Sequence, residues 1–222
     1  MPQHFSSPST SASPMPVTTD ALALADFVTP ADGQRILDLG TGTGPIALAL
    51  AARAKVSVLG IDNVFEAIEE AQANLARDQA LLQGSVEFQP GDLRNLDYIR
   101  ELGAFDQVVC NPPYFKLNEG RLPPNHQRAS ARHELTCTLA EVIEAGAVAL
   151  ADGGVFSVVH VPARLPELLQ TLGQCGLSPQ ALRPIYTARN RDARLVLCSA
   201  RKGLPGNFRL LQPLHVRTLA NF

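Results

Sequence analysis

Four consecutive residues, Asn111-Pro112-Pro113-Tyr114, combine chemical groups that suit a planar amine. They follow an apolar run at 105–110 that predicts a buried strand. Two prolines cannot continue a sheet ladder, so the chain must leave the sheet there, at the end where open α/β sheets bind ligands. The Asn111 amide oxygen and the Pro112 carbonyl can accept hydrogen bonds from an –NH2 group, and the Tyr114 ring can stack on the ring that carries it. The alternative is that the proline pair only ends the strand.

A glycine-rich loop lies upstream, between an apolar strand predicted at 35–39 and a helix predicted at 45–54. Such a loop lets a ligand approach the backbone closely and points free N–H groups at it. The dinucleotide fingerprint would have Gly or Ala where Pro45 stands, so the pattern favours a smaller nucleoside ligand. The residues of this segment that we expect to bind it are Asp38, Gly40, Thr41, Gly42 and Gly44.

Acidic residues follow the next two predicted strands. The second strand ends on Asp62, whose carboxylate can accept hydrogen bonds from both hydroxyls of a ribose. Alternatively, Asp62 or Asn63 caps the helix that follows. Asp92, with Leu93 after it, follows the third strand, where a carboxylate can bind an adenine amino group, unless Asp92 is an ordinary turn residue.

Four motifs therefore occur in a fixed order along the chain: DLGTGTG, GID, GDL and NPPY. With them the chain resembles the class I S-adenosylmethionine-dependent methyltransferases, and the NPPY form resembles the branch that methylates exocyclic amines. Looser features are similar to the bacterial tRNA(Val) adenine-N6 methyltransferase family, and they lie at residues 20–25, 111–134 and 195–203 and at Pro213-Leu214. The resemblance extends over roughly residues 20–216.

This resemblance implies a reaction and a set of roles. S-adenosylmethionine would be the cofactor, no metal would be needed, and the substrate would be adenine N6 of tRNA beside the anticodon, of the adenine(37) type. Asp38 and the glycine loop would hold the methionine part, Asp62 the ribose and Asp92 the adenine. Asn63, Leu93 and Asn111 complete the expected cofactor site. The catalytic residues would be Asn111, Pro112, Pro113 and Tyr114.

Two other activities, and a chain without activity, remain open on the sequence. Protein glutamine-N5 methyltransferases share NPPY, but they resemble chains with an added N-terminal helical domain. Guanine-N2 rRNA enzymes share the chemistry but typically replace the tyrosine by phenylalanine. A chain that binds the cofactor and RNA without activity is a further alternative, which the intact NPPY and glycine loop disfavour.

The charge distribution indicates a nucleic-acid partner, although the net charge is only −2. Residues 1–110 contain six Lys and Arg against fourteen Asp and Glu, whereas residues 111–222 contain thirteen against seven. A basic surface near NPPY would hold phosphates, and the acidic half suits a sulfonium cation. The alternative is that these are solvated loop charges. The residues expected to bind the RNA are Phe115, Lys116, Arg121, Arg128, Arg132 and Lys202.

The order of elements predicts an α/β, Rossmann-like class I methyltransferase fold. We expect seven strands in a mostly parallel sheet with helices on both faces, and the last strand antiparallel because only a short turn joins it to its predecessor. The 45% hydrophobic content and the length of 222 residues fit one domain, at residues 20–216. Residues 1–19 are predicted to be a disordered Ser/Thr/Pro-rich tail, and residues 217–222 a C-terminal tail.

The remaining residues support a cytoplasmic protein without a metal site. Four cysteines, at 110, 137, 175 and 198, are widely spaced and form no C-x-x-C, so they indicate core or near-surface thiols rather than metal ligands. His126 and His133 are expected to be solvated loop residues, with a general-base role as the alternative. No stretch predicts a signal peptide or a membrane span.

Overall fold

The protein is described by a computed structural model at residues 19–112, 137–187, 191–203 and 206–216. These residues form six α-helices: α1 (Thr19–Phe27), α2 (Pro45–Arg53), α3 (Phe65–Asp78), α4 (Leu96–Glu101), α5 (Leu139–Ala149) and α6 (Leu165–Gln174). They also form nine strands: β1 (Arg35–Leu39), β2 (Ser57–Asp62), β3 (Ser85–Pro90), β4 (Phe105–Cys110), β5 (Leu150–His160), β6 (Leu177–Tyr186), β7 (Leu195–Lys202), β8 (Arg209–Leu210) and β9 (Leu214–His215).

The strands form one sheet in the order β3-β2-β1-β4-β5-β7-β6-β8, and β9 also pairs with β6. Neighbouring strands from β3 to β5 are parallel, and β7 lies antiparallel between β5 and β6. The predicted fold class and the antiparallel last long strand are therefore confirmed. The seven-strand prediction missed β8 and β9, because a two-residue strand carries no readable hydrophobic alternation.

Helices cover both faces of the sheet and bury a core on each side. On one face, α1, α2 and α3 contribute Leu24, Leu50 and Ile68, which are buried with Val109 of β4. On the other face, α4, α5 and α6 contribute Ile99, Ile143 and Leu168, buried with Phe156 of β5. The sheet is thus rigidly held from both sides, and its strand ends have fixed relative positions.

Some element boundaries differ from those expected. The sequence Asp152-Gly153-Gly154 is typical of a helix end and predicts a break between α5 and β5, but β5 begins directly after α5, at Leu150. The pairing of β4 with β5 shifts register between Phe105 and Gln107, which accommodates this early start. Helix α5 begins with a capping box in which the Thr138 hydroxyl accepts from the Glu141 N–H and the Glu141 carboxylate accepts from the Thr138 N–H.

The predicted tails fall almost wholly outside the described residues, since only residue 19 is included and it begins α1. Among the helices that the structure describes, none is long and apolar enough to cross a membrane.

Candidate active site

The carboxyl ends of β2, β1 and β4 bring three predicted site residues together. Leu39 of β1 pairs with Ile61 of β2 on one side and with Cys110 of β4 on the other. The next residue on each strand, Asp62, Gly40 and Asn111, therefore lies at the same level of the same edge. The sheet register thus places the amide of NPPY beside the glycine loop and its neighbouring carboxylate.

The glycine loop is fixed to the end of β2 by backbone hydrogen bonds. The N–H groups of Gly40 and Thr41 both donate to the Ile61 carbonyl at 2.9 Å, and the Gly42 N–H donates to Asp62 Oδ2 at 2.9 Å. The three loop glycines all have positive φ, at +69°, +55° and +84° for Gly40, Gly42 and Gly44. That conformation is open to glycine and costly for other residues.

Gly44 is required for a second reason, the packing of Phe88. A Cβ at Gly44 would lie 2.4 Å from Phe88 Cζ, and a Cβ at Gly60 would lie 2.6 Å from Phe88 Cδ1. The buried Phe88 ring of β3 therefore fits between two glycines, one in the loop and one in β2. This packing holds the glycine loop close to the sheet.

Asp38 places a carboxyl group in the buried floor beneath this loop. Its Oδ2 accepts a 2.7 Å hydrogen bond from the Thr41 hydroxyl, while Oδ1 is buried and no described donor reaches it. Burial raises the pKa of Asp38 to about 7, against the opposing effects of the Thr41 hydroxyl and the Ala47 backbone N–H, and the charge of Asp62 adds to the rise. A buried oxygen without a donor suits a ligand that supplies an N–H group or a positive charge.

Asp62 is oriented by two backbone N–H groups. Besides Gly42, Val64 donates to its Oδ1 at 3.0 Å, in the turn that precedes α3. Val64 is the N-cap residue of α3 and the helix has no side-chain cap, which excludes the alternative that Asp62 or Asn63 caps it. Each carboxylate oxygen retains a further lone pair, so Asp62 can still accept from ribose hydroxyls.

Asp92 is half-exposed and forms an ion pair with Arg94 that was not predicted from the sequence. Arg94 donates from Nε to both carboxylate oxygens, at 2.9 and 3.1 Å, and its terminal nitrogen lies 2.5 Å from Oδ2. The Arg94 hydrogen bonds hold the pKa of Asp92 below its usual value. The D-x-R pattern after β3 is the sequence signal that could have revealed this ion pair. The side chain of Leu93, between the two, is buried in the core, and the role of Leu93 in cofactor binding stays a prediction.

Asn111 and Pro112 are the two residues of NPPY that the structure describes, and they are half-buried and buried respectively. Predicted site residues outside the described part are Pro113, Tyr114, Phe115, Lys116, Arg121, Arg128 and Arg132, together with His126 and His133. Their roles remain predictions.

His160, which sequence reasoning missed, ends β5 at the level of Pro112, because Cys110 pairs with Val158 two residues earlier. Its Nδ1 accepts from the Val161 N–H at 2.8 Å, and burial lowers its pKa to about 4. A neutral imidazole therefore lies on the strand next to NPPY, at the same edge of the sheet. A polar residue at the end of an apolar strand is the sequence signal that could have identified His160.

The prediction that Lys202 binds RNA near NPPY is contradicted by its position. β7 runs antiparallel to β5, so Arg201 pairs with Val155 and Lys202 lies at the amino edge, about 20 Å from the level of His160. Its Nζ donates to the carbonyls of Ala147 and Leu150 at 2.7 and 2.6 Å. Lys202 thus stabilises the C-terminus of α5.

The cysteines behave as core thiols. Cys110 and Cys198 are buried, Cys137 and Cys175 are half-buried, and none is in a disulfide. Burial raises the pKa of the Cys110 thiol well above its ordinary value, so it stays protonated and is a poor nucleophile. Within the described ranges, no group of three or more His, Cys, Asp or Glu side chains is arranged to hold a metal ion.

Comparison with known proteins gives matches at three levels. Residues 36–134 match the family model described as "Methyltransferase domain". A tRNA1(Val) (adenine(37)-N6)-methyltransferase of Phocaeicola vulgatus is 33% identical over 184 residues, which cover 82% of this chain and 75% of that relative. The equivalent protein of Vibrio vulnificus (strain YJ016) is 38% identical over 131 residues, 59% of this chain.

The chain spans about half the length of that Vibrio relative, 51%, and 64% of a Shewanella sediminis relative of the same name. Among solved structures, a predicted O-methyltransferase from Agrobacterium tumefaciens superimposes with a TM-score of 0.70 at 24% identity, over 91% of this chain and 90% of that one. TrmN from Thermus thermophilus gives 0.59 at 19% identity, over 82% of this chain and 48% of that one. These structures share the fold, and the sequence similarity shows that the chain belongs to the tRNA1(Val) (adenine(37)-N6)-methyltransferase family.

Proposed function

We propose that this protein transfers the methyl group of S-adenosylmethionine to N6 of adenine 37 in tRNA1(Val), in the cytoplasm. The observation that carries the proposal is the alignment of Asp62, Gly40 and Asn111 at one edge of the sheet. This alignment supports the proposal, because it brings an amide that could bind an amine next to a loop that could bind a nucleoside. The names of the relatives supply the substrate, which the site geometry alone does not specify.

The residues present fit S-adenosylmethionine. The buried Asp38 Oδ1, without a described donor, suits the cationic methionine part, and the glycine loop allows close approach of the backbone. Asp62 is held with lone pairs left for the ribose hydroxyls. Asp92 would accept from the adenine amino group in addition to Arg94.

S-Adenosylmethionine supplies an electrophilic methyl group when it is bound. The chain's own task is to orient the target nitrogen. Asn111 Oδ1 and the Pro112 carbonyl would accept hydrogen bonds from the two N–H groups of the exocyclic amine, which directs its lone pair towards the methyl group. Proline suits this position because its backbone offers an acceptor and no competing donor. Tyr114 would stack on a base that has left its own stack.

The RNA contacts that we propose next to the site come from the loop after NPPY. Arg128 and Arg132 would bind phosphates, with Phe115, Lys116 and Arg121 nearby in the sequence. Replacing Arg128 and Arg132 together by Ala should weaken tRNA binding and flatten the plot of log affinity against log salt by about one unit for each lost phosphate contact. A normal affinity and salt slope would leave both as solvated charges.

Nucleoside mass spectrometry of tRNA from a deletion strain tests the function in the cell. The deletion should remove N6-methyladenosine from tRNA1(Val), and the intact gene should restore it while an Asn111→Ala gene should not. Loss of N2-methylguanosine from rRNA, or of glutamine methylation from a release factor, would instead identify one of the other amine-methylating activities.

A further inference from the structure

A pair of stacked rings lies at the far end of the carboxyl edge. Tyr186, the last residue of β6, pairs in register with His215 of β9, and the ring centroids are 5.5 Å apart with an interplanar angle of 28°. The Val216 N–H donates to the Tyr186 carbonyl at 2.9 Å, which fixes β9 beside β6. Tyr186 is half-buried and His215 is exposed, so the pair presents ring surface to solvent.

The sheet places this pair at the same edge as Asn111. β6 runs in the direction of β5 because both are antiparallel to β7, so the ends of β4, β5 and β6 share one edge. The order β4-β5-β7-β6 separates Tyr186 from the Asn111 strand by three steps, about 14 Å. A few nucleotides of single-stranded RNA can cover that distance.

Positive charge accompanies the rings. Arg194 is held across from them, since its backbone N–H donates to the Ile185 carbonyl at 2.8 Å, and Arg191 is exposed in the same turn. Neither side chain has an acidic partner within salt-bridge distance among the described residues. From residue 177 onwards those residues include six Lys and Arg against a single acidic residue, Asp192.

We infer that Tyr186 and His215 form a stacking platform for an unpaired nucleotide of the RNA near the target adenine, and that Arg191 and Arg194 bind its phosphates. Exposed aromatic rings beside unpaired basic side chains are the combination that binds single-stranded nucleic acid, since every base has a face that can stack. A purely structural cross-strand pair would need the rings but not the charges. The inference rests on the proposed function, because it assigns a second contact to the same RNA.

Steady-state kinetics with unmodified tRNA1(Val) transcript tests the platform. Tyr186→Leu keeps apolar bulk on β6 but removes the ring, and it should raise the KM for tRNA by about tenfold, the usual size for loss of one base stack. The kcat and the affinity for S-adenosylmethionine should stay unchanged, because the contact is equal in the ground and transition states. Tyr186→Phe should restore most of the lost affinity, and His215→Ala, at an exposed position, provides a second variant.

The charge contribution has a matched control, because Arg194 directly precedes β7 and Arg201 lies near the far end of that strand. Arg194→Gln should raise the KM and reduce the salt slope by about one unit. Arg201→Gln removes an equally exposed charge at the other end of β7, about 23 Å away at the amino edge, and should change neither.

The outcomes separate the inference from the proposed function. If wild-type protein methylates the tRNA but Tyr186→Leu and His215→Ala have the wild-type KM, the platform is wrong and the proposed function stands. The platform is also wrong, and the proposed function stands, if Arg194→Gln and Arg201→Gln have the same KM and the same salt slope. If wild-type protein leaves the tRNA unmodified and methylates a protein, both are wrong.

Discussion

The two halves of the sheet differ in how their charged side chains are held. In the half from β3 to β1, the carboxylates of Asp38, Asp62 and Asp92 each accept hydrogen bonds from nearby residues of the same half. Between the end of β6 and the start of β7, by contrast, Arg191 and Arg194 have no acidic partner among the described residues. The half from β3 to β1, the cofactor half, thus holds its carboxylates by its own contacts, whereas in the other half, the RNA half, Arg191 and Arg194 stay available for the RNA contact that we infer.

The largest expected effect comes from replacing Asn111, which follows β4 at the boundary between the two halves. Asn111→Ala should lower kcat by about 100- to 1000-fold if, as we propose, the amide oxygen orients the amine in the transition state. The affinity for S-adenosylmethionine, measured by calorimetry, should stay close to the wild-type value. A large loss of cofactor affinity with normal turnover at saturation would assign Asn111 to the cofactor half alone.

Two glycines with the same φ, Gly44 and Gly33, can test how rigidly the cofactor half is packed. Gly44 and Gly33 both have φ of +84°, but only at Gly44 would a Cβ meet another atom, Phe88 Cζ at 2.4 Å. Gly44→Ala should therefore destabilise the fold by about 2 kcal/mol more than Gly33→Ala in denaturant unfolding, the excess being the cost of overpacking. Equal losses would mean that Phe88 moves aside freely.

Much of the cofactor half could be predicted from the sequence, because its strands are short apolar runs that end at Gly, Pro or Asp. β1 and β4 have the predicted bounds, and the predicted residues Gly40, Asp62 and Asn111 meet at one edge. The Arg94 partner of Asp92 was missed, because a local ion pair depends on side-chain geometry that spacing does not determine.

Less of the other half could be predicted. Lys202 was assigned to the RNA surface from its nearness in sequence to other basic residues, yet an antiparallel β7 must carry its last residues away from Asn111. Tyr186 and His215 come together only through β9, whose two residues give no periodic signal. Non-local pairing decides both positions, and sequence patterns report mainly local structure.

Replacing Asp62 should have a smaller effect, and it tests the same difference between the two halves. Asp62→Ala should weaken S-adenosylmethionine binding by about 2 kcal/mol, because it removes a charged acceptor for the ribose and the partner of the Gly42 N–H. The KM for tRNA at saturating cofactor should be unaffected. Calorimetry that finds wild-type affinity would reduce Asp62 to a turn residue ahead of α3.

Because Asp38 is buried, its titration should make the free energy of unfolding depend on pH. Its pKa is about 7 in the folded protein and 3.8 ordinarily, so the folded state binds one more proton between these values. The contribution of Asp38 is therefore most favourable below pH 4, falls by about 1.4 kcal/mol for each pH unit as pH rises towards 7, and is constant above. Asp38→Asn should remove this contribution, so the variant should gain stability relative to the wild type by about 1.4 kcal/mol for each pH unit from pH 5 to 7, a difference in which the opposite contribution of His160 cancels. A variant with the wild-type slope would place the titration elsewhere.

Product analysis of the purified protein is the most direct test of the central claim, that a cofactor half and an RNA half meet at Asn111 to methylate adenine. Unmodified tRNA1(Val) transcript, labelled S-adenosylmethionine and the protein should give about one N6-methyladenosine per tRNA, as expected for transfer to one amine. A transcript with guanine in place of adenine 37 should remain unlabelled. Label on a guanine, on another adenine, or on no RNA at all would contradict the account.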